Sequence, residues 1–167
     1  ITEGQVWYNT TSDTFKSILG VATWVSSTPL PSTASNGGGA GIQTAALFFG
    51  GRTGGTQLNT TSEYNGSGYG SGGAMGTGRS QMGGGGTQTA ALASTGVVEG
   101  PSACPTESEE YNGTAWTAGG SLSTARFALG GAGTQTAGVI TGGQPLPPGS
   151  GYIGITEEWD GSSWSES

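Results

Sequence analysis

One eleven-residue phrase is written three times along this chain, and it constrains the fold more than any other feature. It reads Gly41-Ile-Gln-Thr-Ala-Ala-Leu-Phe-Phe-Gly-Gly51, then Gly86-Thr-Gln-Thr-Ala-Ala-Leu-Ala-Ser-Thr-Gly96, then Gly133-Thr-Gln-Thr-Ala-Gly-Val-Ile-Thr-Gly-Gly143. Gln43, Gln88 and Gln135 are thereby spaced by 45 and 47 residues. A second phrase follows each copy: Glu63-Tyr-Asn-Gly-Ser-Gly-Tyr69, Glu110-Tyr-Asn-Gly-Thr-Ala-Trp116 and Glu158-Trp-Asp-Gly-Ser-Ser-Trp164. Its aromatics always stand five apart, as Tyr64 and Tyr69, Tyr111 and Trp116, Trp159 and Trp164. Two periods before Trp116 stands Trp24, closing a degenerate copy, Leu19-Gly-Val-Ala-Thr-Trp24. Arg79 and Arg126 form a weaker third element, each eight residues before the Thr of Gly-Thr-Gln-Thr, where the first unit has Ala34. Phrases that keep one period mark a repeat architecture, whose units bury their apolar faces only by stacking on neighbours.

Each unit reads as strands. Thr44 to Phe49 is a short apolar run ended by Gly-Gly, as suits a strand covered on both faces. The matching Thr-Ala-Gly-Val-Ile-Thr run is β-branched, which favours strand over helix. Asn65-Gly66, Asn112-Gly113 and Asp160-Gly161 predict two-residue type I′ hairpins, with positive φ at both central residues. Helix signals are nearly absent, since Gly costs about 1 kcal/mol per helical position and Ser and Thr prefer turns and strands. The Gly83–Gly86 and Gly130–Gly133 stretches read as tight turns or bulges, and the stretch from Ser26 to Gly41 as a loop. About four short strands in roughly 47 residues suit a β-propeller blade. The expected organisation is an N-terminal leading hairpin segment, 1–14, and a repeat domain, 15–167, with units at about 25–69, 70–116 and 117–164.

Composition narrows function. With 36 glycines, and nearly half the chain Gly, Ser or Thr, the large aliphatics are few. The chain has no His, which excludes His-based triads and the usual zinc and copper sites. Cys104, the single cysteine, cannot form an internal disulfide or a thiolate cage. A net charge of −7 with only four bases argues against nucleic-acid binding. No apolar run approaches the roughly 20 residues of a membrane-spanning helix.

The repeated Glu63, Glu110 and Glu158 should occupy equivalent places in different units, too far apart to act as a glycosidase pair. They read as structural or solvated, with pairing to Arg79 or Arg126 weak at an exposed position. The aligned aromatics Trp24, Tyr69, Trp116 and Trp164, with Tyr64, Tyr111 and Trp159, read as packing between units rather than as sugar platforms. Recognition is expected in the connections that differ between units, Arg52–Ser62, Val97–Glu109 and Gln144–Glu157. Arg52 and Tyr152 are the ligand-contact candidates there; no catalytic residue, metal site or cofactor is expected.

These residues resemble the kelch repeat, in which an upstream Arg, a strand ending in Gly-Gly and two aromatics close the unit. Here they are Arg126, Gly142-Gly143, Trp159 and Trp164, and the resemblance covers about residues 15–167. The chain departs from kelch in being richer in Thr and Gly and poorer in aliphatics. It is closer to Gly/Thr-rich kelch-like proteins of bacteriophages and marine microbes, through Gly133 to Gly143 and Glu109 to Trp116. The opening Glu3-Gly-Gln-Val-Trp-Tyr-Asn9 resembles the leading hairpin of phage tail proteins.

The fold this implies is all-β, with kelch-like propeller blades behind an N-terminal β-hairpin. The resemblance also implies a non-enzymatic virion structural protein (tail, fibre or surface decoration) with a role in host adsorption. Its place would be the virion surface or the extracellular space. Its partners would be other virion proteins, copies of itself or a host surface glycan, without nucleic acid or membrane insertion. The alternative is a secreted or cell-surface carbohydrate-binding module. Three units and a fraction fall short of the four to eight blades of a propeller. The chain is therefore expected to be a fragment of a longer repeat protein, or to complete its sheets against copies of itself or other virion proteins.

Overall fold

The computed structural model describes residues 6–11, 14–17, 26–99, 104–145 and 151–167. These residues are all-β, and none of them is helical. Three four-stranded antiparallel sheets follow one another, each a meander in chain order. The first holds Gly38–Ile42, Ala45–Phe49, Thr61–Tyr64 and Tyr69–Ser71. The second holds Gly83–Thr87, Ala90–Ser94, Glu107–Tyr111 and Trp116–Ser121, and the third Gly130–Thr134, Ala137–Thr141, Thr156–Trp159 and Trp164–Glu166. None of the three closes on itself. A ribbon beside the second sheet pairs Arg79–Ser80 with Val97–Val98, and one beside the third pairs Arg126–Phe127 with Gln144–Pro145. In the first unit this shrinks to one bridge, Ser35 to Arg52. Val6–Asn9 pairs with Thr14–Ser17 in the N-terminal hairpin, which therefore runs past residue 14. Trp24 lies outside the described residues.

The glycine runs are strands, not turns or bulges. Gly83–Thr87 lies between Gly38–Ile42 and Gly130–Thr134, so the first strands of the three sheets adjoin. At Gly85 and Gly131 the approach leaves little or no room for a side chain. A β-carbon on Gly131 would come within 2.8 Å of the Gly84 nitrogen. The end of the expected loop, from Gly38, belongs to the same layer.

The two turns of each meander also differ from expectation. Ile42 pairs with Ala45, Thr87 with Ala90 and Thr134 with Ala137, so the two-residue hairpins are centred on Gln-Thr. None of the central Gln or Thr residues has positive φ; the positive φ lies in the strand leading into each turn, on Gly41, Gly86 (+102°) and Gly133. The Asn/Asp-Gly turns are not type I′. Only the glycine has positive φ, and it is the first central residue, as in type II′. The Asn65 N–H donates to the Gly68 carbonyl at 3.1 Å, and the Asn65 Oδ1 accepts from the Ser67 and Gly68 N–H groups. Asn112 and Asp160 repeat this, so the side chain supplies an acceptor the backbone would otherwise provide.

Burial is concentrated between sheets. Leu47, Phe49, Met75, Met82, Ala91, Ala93, Tyr111 and Trp116 form one cluster at the first seam. Phe49 and Trp116 meet at 4.9 Å between ring centroids, with a tilt of 59°. Leu92, Ile140 and Trp159 are also buried. A β-carbon on Gly138 would come within 2.8 Å of the Leu92 side chain, so Leu92 packs across the second seam. Aromatic area thus stands in for the missing aliphatics.

Candidate functional site

The seams hold most of the repeated chemistry. Gln88 donates its Nε2 hydrogens back to the Ala46 and Tyr64 carbonyls of the first sheet, at 3.0 and 2.7 Å. Gln135 does the same to Ala91 and Tyr111 of the second, at 3.1 and 2.8 Å. The closing tryptophans also reach back. Trp116 Nε1 donates to Thr61 Oγ1 at 2.9 Å, and Trp164 Nε1 to Ser108 Oγ at 3.3 Å.

Tyr69, Trp116 and Trp164 stand directly opposite Tyr64, Tyr111 and Trp159 in their hairpins, as tilted ring pairs. Tyr111 donates its hydroxyl to Glu63 Oε1 at 2.5 Å. Burial, then that carboxylate, push the Tyr111 phenol up to about 12.

Beneath the first seam lies an open cleft of about 470 Å³, bordered by Gly76, Thr77, Arg79, Glu107, Glu109 and Trp116. It has the look of a site, but its charges are engaged. Arg79 Nη2 donates to Glu109 Oε1 at 2.6 Å, and its Nη1 to the Glu107 carbonyl at 3.0 Å. The other Glu109 oxygen accepts from the Gly76 N–H at 2.7 Å. Both oxygens of this carboxylate are thereby committed to donors of the protein itself.

The third unit repeats the pair: Arg126 Nη1 donates to Glu157 Oε1 at 2.5 Å, with both residues at 0 % exposure. Burial alone would raise the Glu157 pKa. The Ser123 N–H and the Arg126 guanidinium outweigh it and hold the carboxyl below its ordinary value.

These pairs correct two expectations. The partners are Glu109 and Glu157, not the aligned Glu110 and Glu158, and the pairs are buried, not exposed. Strand alternation explains it, since neighbouring residues face opposite sides. Ser62 occupies the corresponding place in the first unit, beside an Arg position filled by Ala34. Both partners are missing together there, as expected where either buried charge alone would be costly.

Arg52 is exposed on a ribbon with Gln57, in the connection of the first sheet. Tyr152 is 83 % exposed in the connection of the third, with the second unit between them. Cys104 donates to the Gly96 carbonyl at 2.9 Å, and burial raises its pKa. Among the described residues no three His, Cys, Asp or Glu side chains gather in a group able to hold a metal ion. The glutamine links were missed as interactions: the phrase marked the positions, but nothing in one sequence shows that the side chain reaches the previous unit. No protein-family profile matches this chain, and comparison with curated proteins returns no significant match.

Proposed function

We propose that the chain is a non-enzymatic structural protein of a bacteriophage particle, a tail, fibre or decoration component that presents its connections at the virion surface. One observation carries the reading. The repeated polar groups Gln88, Gln135, Arg79, Arg126, Glu109 and Glu157 are occupied in holding the units, while Arg52 and Tyr152 in the unlike connections face solvent. That division of labour suits a display scaffold. Successive meanders with adjoining first strands suit neighbouring kelch-like propeller blades. The phage assignment rests on the wording of the repeats and of the opening segment. Host-surface adsorption, with a glycan as ligand, is the role such connections would serve.

Peptide mass spectrometry of purified particles, from a phage that encodes the chain, tests the reading. Many copies per particle are expected; absence from intact particles overturns it. The exposure of Tyr152 favours one second reading, a carbohydrate-binding module whose phenol ring stacks on a sugar face. Glycan-array binding that disappears in Tyr152→Ala would support it.

A further inference from the structure

Each seam inside the molecule is made from two unlike halves. One is the glutamine of the Gln-Thr turn; the other is a pair of backbone carbonyls on the preceding sheet. Among the described residues three such sheets make two seams, so one half of each kind is left over. Gln43 is exposed in the equivalent turn of the first sheet, and among the described residues it has no hydrogen-bond partner. Gly138 and Trp159 pair across the third sheet as Ala46 and Tyr64 do in the first, and Ala91 and Tyr111 in the second. No described side chain donates to their carbonyls. The adjoining strand Gly130–Thr134 is exposed along its whole length, whereas Gly83–Thr87, covered on both sides, is mostly withdrawn from solvent.

We propose that the outward faces of the first and third sheets bind each other between two copies of this chain. Gln43 of one copy donates to the Gly138 and Trp159 carbonyls of the next. The occupant is a second copy because the acceptor face has the layout that this chain's own turns already fit twice. Ser27 takes up the Tyr64 hydroxyl and Thr28 the Ser67 carbonyl at the outer edge of the first sheet, so the contact centres on the inner turn. Such a contact is head-to-tail, and it repeats until the rotation closes a ring or runs on as an open array. Two copies closing on each other would place six sheets about one axis, within the four to eight of a propeller. The inference does not depend on the virion reading.

Light scattering after size exclusion tests it, at micromolar concentration, on the wild-type chain, Gln43→Glu and Thr56→Glu. Glutamate at 43 replaces a double donor with a carboxylate facing two carbonyls, at an exposed position. Thr56 is exposed on the ribbon in the connection of the first sheet and controls for added charge. The wild-type chain and Thr56→Glu are expected at twice the 16.4 kDa chain mass or a higher multiple. Gln43→Glu is expected to be monomeric, or to associate at least about tenfold more weakly. A wild-type chain that stays monomeric overturns the proposal. So does Gln43→Glu associating like wild type, or Thr56→Glu dissociating as far as Gln43→Glu.

Discussion

Glu109 and Glu110 are neighbours with opposite fates, one facing a buried guanidinium and the other turned away from it. Removing the charge of Glu109 strands Arg79 inside the protein, where an uncompensated ion costs about 3–5 kcal/mol. Glu109→Gln is therefore expected to lower unfolding stability by about that much, measured by urea denaturation. Glu109→Gln with Arg79→Met is expected to recover at least half of the loss, because the first unit already manages with Ala34 and Ser62. Glu157 adds a pH dependence. Its folded pKa lies below the ordinary 4.5, so its contribution is complete above that value and is lost as pH falls through the lowered one. Urea midpoints between about pH 7 and about pH 3 are expected to fall, and to fall less steeply in Glu157→Gln. The sequence announced the arginines through their register. It hid their partners, because the aligned phrase begins one residue after the glutamate that faces inward, and Ser62 breaks that column in the first unit.

At the scale of the strand, the glycines act through what they exclude. A β-carbon on Gly86 would sit 2.2 Å from the Ala90 carbonyl oxygen, at a φ of +102°. Gly54 also has positive φ, +56°, but nothing lies within 4 Å of its added carbon. Gly54→Ala is expected to cost only the left-handed backbone penalty, about 1–2 kcal/mol. Gly86→Ala is expected to cost several-fold more, because the strand pair must open to admit the methyl. Paired urea titrations of the two variants check the difference. Strand content and one hairpin per unit were legible from Gly, Thr and the Asn/Asp-Gly dipeptides; the Gln-Thr hairpins were not. The glycine runs were not, since an isolated run of Gly reads as turn chemistry until a second backbone is seen lying against it. The Asn-Gly turns were placed one residue early for a related reason. Asn65 looks like a turn centre, but acts through its side chain from the position before it.

For the whole molecule, unequal coverage of the three sheets sets an order of protection. Ala90–Ser94 belongs to the sheet with a neighbour on both sides, and four of its five residues are buried. Its amides are expected to exchange slowest in native-state hydrogen exchange, and those of Ala137–Thr141, with two exposed residues, faster. Equal protection in the two strands would mean that coverage does not govern local opening here. The period and the number of units were plain in the sequence, whereas the seams, being contacts between units, were not.

The backward reach of Gln88 and Gln135 also bears on how such a chain changes length. A segment of one period carries a donor for the unit before it and two acceptors for the unit after it. An in-frame duplication or loss of a whole unit therefore leaves a working joint at the splice, with no new interface to be evolved. The inner acceptor precedes its glutamine by 42 residues at one joint and by 44 at the other, so the stretch between them varies in length while the joint keeps its geometry. Recombination can thus lengthen or shorten the array by whole units, and point mutation can vary the connections, without either disturbing the other.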